Sequence, residues 1–129
     1  MSDKLVEAAR EGRKSAYAPY SDYRVGAALR SDEGSIYTGC NLEVVNLTNS
    51  LHAEEVALSE AVKEDVSEFD ALAVSTQDGG TPCGMCRQTL AEFCEPSLRI
   101  LVDSIESDEV DEFTLAELYP AGFSEISSF

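Results

Sequence analysis

The chain has 129 residues, 43% of them hydrophobic, and sets 25 Asp and Glu against nine Lys and Arg for a net charge of −16. One domain over residues 1–129, with apolar residues enough for a buried core, is expected at this length. The acidity is spread along the chain, and a surface of that sign repels phosphate backbones, which argues against polynucleotide binding and leaves a small neutral substrate open.

Residues 3–15 carry Leu5, Ala8, Ala9, Gly12 and Ala16 at helical spacing, and Ala18-Pro19-Tyr20-Ser21 breaks that pattern. Tyr23, Val25, Ala27 and Leu29 alternate with Arg24 and Arg30 as on a strand. Asp32-Glu33-Gly34 makes a turn, and Ile36 to Cys40 returns as the second strand of a hairpin. A helix is expected over 52–64 with Ser50 as its cap, then a short strand from Ala71 to Ser75 and a loop at Asp78-Gly79-Gly80. Thr81 can cap a third helix with Pro82 at its first position, ending near Cys94 before Pro96. Leu98 to Val102 reads as a strand, the acidic stretch 103–112 as a surface connection, Phe113 to Leu115 as a last strand and 116–119 as a short helix. Helices alternating with buried strands indicate an α/β layered fold.

Met1-Ser2-Asp3-Lys4 lacks the basic-then-apolar pattern of a signal peptide, and no apolar run approaches a membrane span. A soluble, cytoplasmic protein with no membrane partner is expected. The dispersed acidity is also what adaptation to high salt produces, because screening removes the self-repulsion, so a halophilic source is expected.

The chemistry concentrates in few residues. His52, the one histidine, stands two before Glu54, and Pro82-Cys83-Gly84-Met85-Cys86 follows. One nitrogen and two sulfur ligands suit a catalytic zinc, which takes three protein ligands and leaves a fourth position open. Cys83 and Cys86, i and i+3 at a helix start, share a face where the helix dipole favours thiolates. His52 and Glu54, i and i+2, diverge in mid-helix but can lean toward one point from a helix start. The constellation therefore requires two helix N-termini to converge. Two other readings use some of the same residues. A C-x-x-C pair at a helix start also fits a thiol–disulfide oxidoreductase. A structural zinc site would need a fourth ligand, with Cys40 or Cys94 as candidates.

His52-Ala53-Glu54 with Pro82-Cys83-Gly84-Met85-Cys86 matches the signature of the zinc-dependent deaminases. With Ala18-Pro19-Tyr20-Ser21-Asp22-Tyr23-Arg24-Val25-Gly26, Gly39-Cys40-Asn41-Leu42-Glu43, Arg87-Gln88-Thr89-Leu90 and Tyr119-Pro120-Ala121-Gly122-Phe123, the chain resembles the small free-nucleoside cytidine deaminases nearly end to end. The resemblance implies a three-layer α/β/α fold with a five-stranded mixed sheet, one zinc per chain on His52, Cys83 and Cys86, and a homotetramer with shared active sites. It implies Glu54 as the proton shuttle in hydrolytic deamination of cytidine or deoxycytidine, a step of pyrimidine salvage. It assigns the ribose hydroxyls to Asn41 and Glu43 and the pyrimidine face to Tyr23, where the family usually has Phe. The base carbonyl would meet the Ala53 N–H, the leaving amine the Thr81 carbonyl, and Phe123 would reach a neighbouring subunit's site.

Four positions besides Tyr23 depart from the small members. His52 stands where they usually have Cys and Glu55 where they have Arg, which reads as one coupled change: zinc with three thiolates carries −1 and benefits from a nearby Arg, whereas one His and two thiolates leave the site neutral. Val44 and Leu47 replace the usual Asn and Tyr near the sugar, which keeps another aminopyrimidine, such as a blasticidin-like nucleoside, open as substrate.

Overall fold

The computed structural model describes residues 2–122. Its elements in chain order are α1 (Ser2–Arg13), β1 (Gly26–Ser31), β2 (Ile36–Cys40), a 3-10 turn (Leu47–Asn49), α2 (Ala53–Lys63), β3 (Phe69–Thr76), α3 (Gly84–Phe93), β4 (Arg99–Ser104), β5 (Glu109–Thr114) and α4 (Leu115–Leu118). The five strands form one sheet in the order β2-β1-β3-β4-β5. Only β3 and β4 run parallel, joined through α3, so the sheet is mixed.

Alternation along the central strands splits the core in two. Ala27 and Leu29 of β1, Leu72 and Val74 of β3, and Ile100 and Val102 of β4 face Ala53, Ala57, Ala61 and Leu90 of α2 and α3. Ala28, Ala71, Ala73 and Leu101 face Leu5, Val6 and Ala9 of α1. Helices thus cover both faces. The α1 side is lined by small residues, and a Cβ at Gly26 would lie 2.0 Å from the Ala9 carbonyl oxygen, so the helix backbone rests directly on the sheet. Gly39 does the same for α2: a Cβ there would lie 2.4 Å from the Ala53 oxygen.

Several expected boundaries move. The first strand begins at Gly26, not Tyr23, because the Asn41 side chain takes the backbone partners that a ladder would use: Oδ1 accepts from the Val25 N–H (2.9 Å) and Nδ2 donates to the Tyr23 carbonyl (2.8 Å). Ser50 does not cap α2; its hydroxyl accepts from the Val44 N–H, and the N-cap is His52, whose own N–H donates to Glu55 Oε1 at 2.8 Å. Thr81 does not cap α3; the N-cap is Cys83. The stretch 103–112 is not a connection. It holds the end of β4, a turn and most of β5, an edge strand exposed on both faces, whose Glu112 carboxylate pairs with Arg99 of β4 at 2.9 Å. Consequently β5 runs Glu109–Thr114 and α4 begins at Leu115, earlier than expected.

Candidate active site

Two helix starts converge where the spacing required. His52 sits at the N-cap of α2 and Cys83 at the N-cap of α3, both with extended backbone, and Cys86 lies within the first turn of α3. His52 Nδ1 is 3.3 Å from the sulfur of Cys83 and 3.3 Å from that of Cys86. All three donor atoms lie within 4.8 Å of one another, and among the described residues no other group of three or more His, Cys, Asp or Glu side chains is so placed. Tetrahedral zinc with bonds of ~2.0–2.1 Å to nitrogen and ~2.3 Å to sulfur needs N···S edges of about 3.6 Å. Both N···S edges have to open by only a few tenths of an ångström, so the donors fit zinc. Neither Cys40 nor Cys94 belongs to the cluster, which therefore offers three ligands and not the closed set of a structural site.

The electrostatics point the same way. Burial, reinforced by the charges of Glu54 and Cys83, pushes the Cys86 thiol far above its ordinary range. Burial thus outweighs the helix dipole, and a thiolate at Cys86 needs a cation beside it. Glu54 is only 7% exposed. Burial raises its carboxyl, against smaller opposing contributions from its own backbone N–H, His52 and Cys86. Glu55 anchors the His52 backbone through the capping contact, a structural task besides any role in site charge.

His52, Glu54 and Cys83 line a cavity of about 390 Å3, the size of a small-ligand pocket. Tyr23, Asn41, Glu43, Ala53 and Thr81 line the same cavity, so these expected site residues come together. Phe123 lies outside the described residues. Asn41 is already bonded to the 23–25 backbone at both ends of its amide. Glu43 accepts the N–H groups of Tyr20 and Ser21 at 3.0 Å each, and the Ser21 hydroxyl as well. The Ser21 hydroxyl, with the two backbone N–H groups, holds the Glu43 carboxyl below the usual carboxylate range, against the desolvation it suffers. The pair thus shapes the wall as well as presenting polar groups to it.

Sequence reasoning missed what sets the loop between β3 and α3. Thr76 Oγ1 accepts the N–H groups of Gly79 (2.8 Å) and Gly80 (3.0 Å), and Gly79 takes a φ of +81° that a turn demands of glycine. Arg87 donates to the Pro82 carbonyl (2.7 Å), the Leu118 carbonyl (2.6 Å) and Thr81 Oγ1 (2.9 Å), so it fastens the loop and α4 to α3. The adjacent Gly79-Gly80 pair was the available signal for the tight turn; nothing in the spacing marked Arg87's partners.

Residues 1–101 match the family described as the cytidine and deoxycytidylate deaminase zinc-binding region. A cytidine deaminase of Sporosarcina psychrophila is 42% identical over 126 residues, covering 95% of this chain and 90% of that protein. One from Halalkalibacterium halodurans is 36% identical over 122 residues, covering 93% and 92%. Among solved structures, cytidine deaminase from Burkholderia pseudomallei superposes with a TM-score of 0.90 at 35% identity, covering 95% of this chain and 99% of that one. The enzyme from Mycobacterium tuberculosis gives 0.83 at 32%, covering 96% and 98%.

Proposed function

From the premise that this chain belongs to the cytidine deaminase family, we propose that it converts cytidine or deoxycytidine and water to uridine or deoxyuridine and ammonia. The observation that carries the proposal is the His52, Cys83 and Cys86 triangle with the buried Glu54, of which His52, Cys83 and Glu54 line one cavity. Zinc, when held by these three side chains, supplies the acidification of water that makes hydroxide available near neutral pH.

Glu54 does the proton work. Its carboxylate accepts a proton from the attacking water and delivers it to N3 of the ring, which makes C4 electrophilic. The water oxygen bonds to C4. Glu54 then carries the second proton to the exocyclic amine, the C4–N bond breaks, and ammonia leaves. A shuttle of this kind is worth on the order of 10²–10⁴-fold. Glu54 cannot also be a zinc ligand in this scheme, since a coordinated carboxylate is a poor carrier. Asn41 and Glu43 receive the ribose hydroxyls, Tyr23 covers the pyrimidine face, the Ala53 N–H meets the base carbonyl and the Thr81 carbonyl meets the departing amine. Their common position on the cavity wall supports these roles. The proposal includes a homotetramer with shared active sites.

The chain acts as a single domain over residues 1–129, in the cytoplasm, in pyrimidine salvage. No helix among the described residues is long and apolar enough to cross a membrane. The net charge of −16 supports adaptation to high salt; full stability and activity in salt-free buffer would refute that part alone. The test of the function is an absorbance assay of cytidine and deoxycytidine at high salt, with zinc per chain measured on the same sample. Turnover of either supports the proposal. About one zinc per chain with no turnover of either moves the assignment to another aminopyrimidine nucleoside.

A further inference from the structure

Tyr23 belongs to the cavity wall, yet its hydroxyl is committed to the chain and not to the cavity. The phenol donates to Asp78 Oδ1 at 2.7 Å across 55 positions of sequence. The fit leaves no slack, because a Cβ built on Gly80 would lie 2.8 Å from the Tyr23 oxygen.

On its other side Tyr23 is tied to the wall that carries Asn41 and Glu43. Its N–H donates to Ser21 Oγ at 3.0 Å, and that hydroxyl in turn donates to Glu43 Oε2. Its carbonyl accepts from Asn41 Nδ2. A continuous path thus runs from Glu43 through Ser21, Tyr23 and Asp78 to the loop that precedes Thr81 and Cys83. Apart from this path, the loop is held at its start, where the Gln77 carbonyl accepts from the Glu106 N–H and the Ser104 hydroxyl and the Gln77 side chain accepts from Arg13, by the Thr76 hydroxyl beneath it, and by Arg87 at its end.

We propose that Tyr23 is a positioning residue: through its hydroxyl it sets the 77–81 loop, and so the Thr81 backbone, in register with the wall formed by Asn41 and Glu43. The proposal rests on the reading that Thr81 faces the departing amine. The ring covers the base with or without the hydroxyl, so substrate binding does not need it. The contact at the amine gains strength as ammonia forms, and a loss confined to that stage lowers kcat and leaves KM alone.

The test uses the zinc-loaded full chain as Tyr23→Phe, Asp78→Ala and the double variant, with kcat and KM for cytidine and amide hydrogen exchange at Gly79 and Gly80. Tyr23→Phe is expected to lower kcat about three- to tenfold, the size of one net hydrogen bond, with KM within about twofold. The double variant should be no worse than the poorer single one, since both remove the same contact. Exchange at Gly79 and Gly80 should quicken in all three. Wild-type kcat in Tyr23→Phe, a loss carried by KM alone, additive losses, or unchanged exchange overturns the proposal. If the wild-type protein turns over neither cytidine nor deoxycytidine, the function reading fails, and the exchange measurement alone decides whether Tyr23 sets the loop.

Discussion

Asp103 is 0% exposed and sits at the end of β4 on the side facing α1. Arg10 Nε and Nη2 donate to its two oxygens at 2.9 and 2.7 Å, and Ser75 Oγ, also fully buried, donates at 2.8 Å. Asp103→Ala therefore does two things. It strands a buried hydroxyl, which costs ~1–3 kcal/mol. It also breaks a buried pair, a change worth ~3–5 kcal/mol when neither partner can escape. Here Arg10 can escape in part, since its side chain is 36% exposed and Asp108 stands at 3.3 Å. Most of the pair term is lost to solvent screening, and a total near 3 kcal/mol is expected. Asp103→Asn keeps an acceptor for Ser75 and should cost about half as much. Urea unfolding at fixed salt measures both, as a lower midpoint at unchanged slope. Turnover well below the unfolding transition should persist, because Ser75 and Asp103 face α1 while Val74 and Thr76 of the same strand line the cavity. A loss below about 1 kcal/mol for Asp103→Ala, or equal losses for the two variants, would refute this reasoning.

Gly39→Ala places a methyl 2.4 Å from the Ala53 oxygen and 2.5 Å from the Ala57 nitrogen. The start of α2 must shift, so stability should fall by about 3 kcal/mol or more and zinc retention with it; a protein with wild-type melting and full zinc would contradict the close packing. Glu43 has a folded-state pKa below its ordinary 4.5. Its contribution is therefore present above the unfolded value and drains away as pH falls from about 4.5 through the lower folded value. Glu43→Gln should flatten the acid limb of the stability profile in that window, and an unchanged limb would be the adverse result. Arg87→Lys cannot reproduce three bonds from one planar group. It should lower kcat about ten- to hundredfold through misplacement of Thr81, whereas wild-type kinetics would show that the clamp is dispensable.

Metal chemistry made the site legible, because only a few residue types donate to zinc and their spacing encodes which faces they share. His52, Cys83 and Cys86 could thus be placed together before any fold was known. The strand alternation of Ala27 and Leu29 and the short apolar run from Ala71 to Ser75 made the layered fold readable for the same kind of reason. What stayed hidden depended on partners remote in sequence. Ser50 and Thr81 are good capping types, yet the caps fell to His52 and Cys83, where a Glu55 carboxylate and the needs of the donor cluster decide the geometry. The stretch 103–112 looked like a loop because its carboxylates alternate with little apolar content. Only Arg10 and Arg99, far away in sequence, show that it is the end of one strand and most of another. The start of β1 was hidden likewise, since a single side chain, Asn41, replaces the ladder there.

The central claim is that Glu54 moves the protons of a deamination supported by a three-ligand zinc site. Its most direct test is zinc content and cytidine turnover of Glu54→Gln beside the wild-type protein. About one zinc per chain is expected in both, with turnover lower by ~10²–10⁴-fold in the variant. A variant that holds zinc and still releases ammonia from cytidine at the wild-type rate would contradict it.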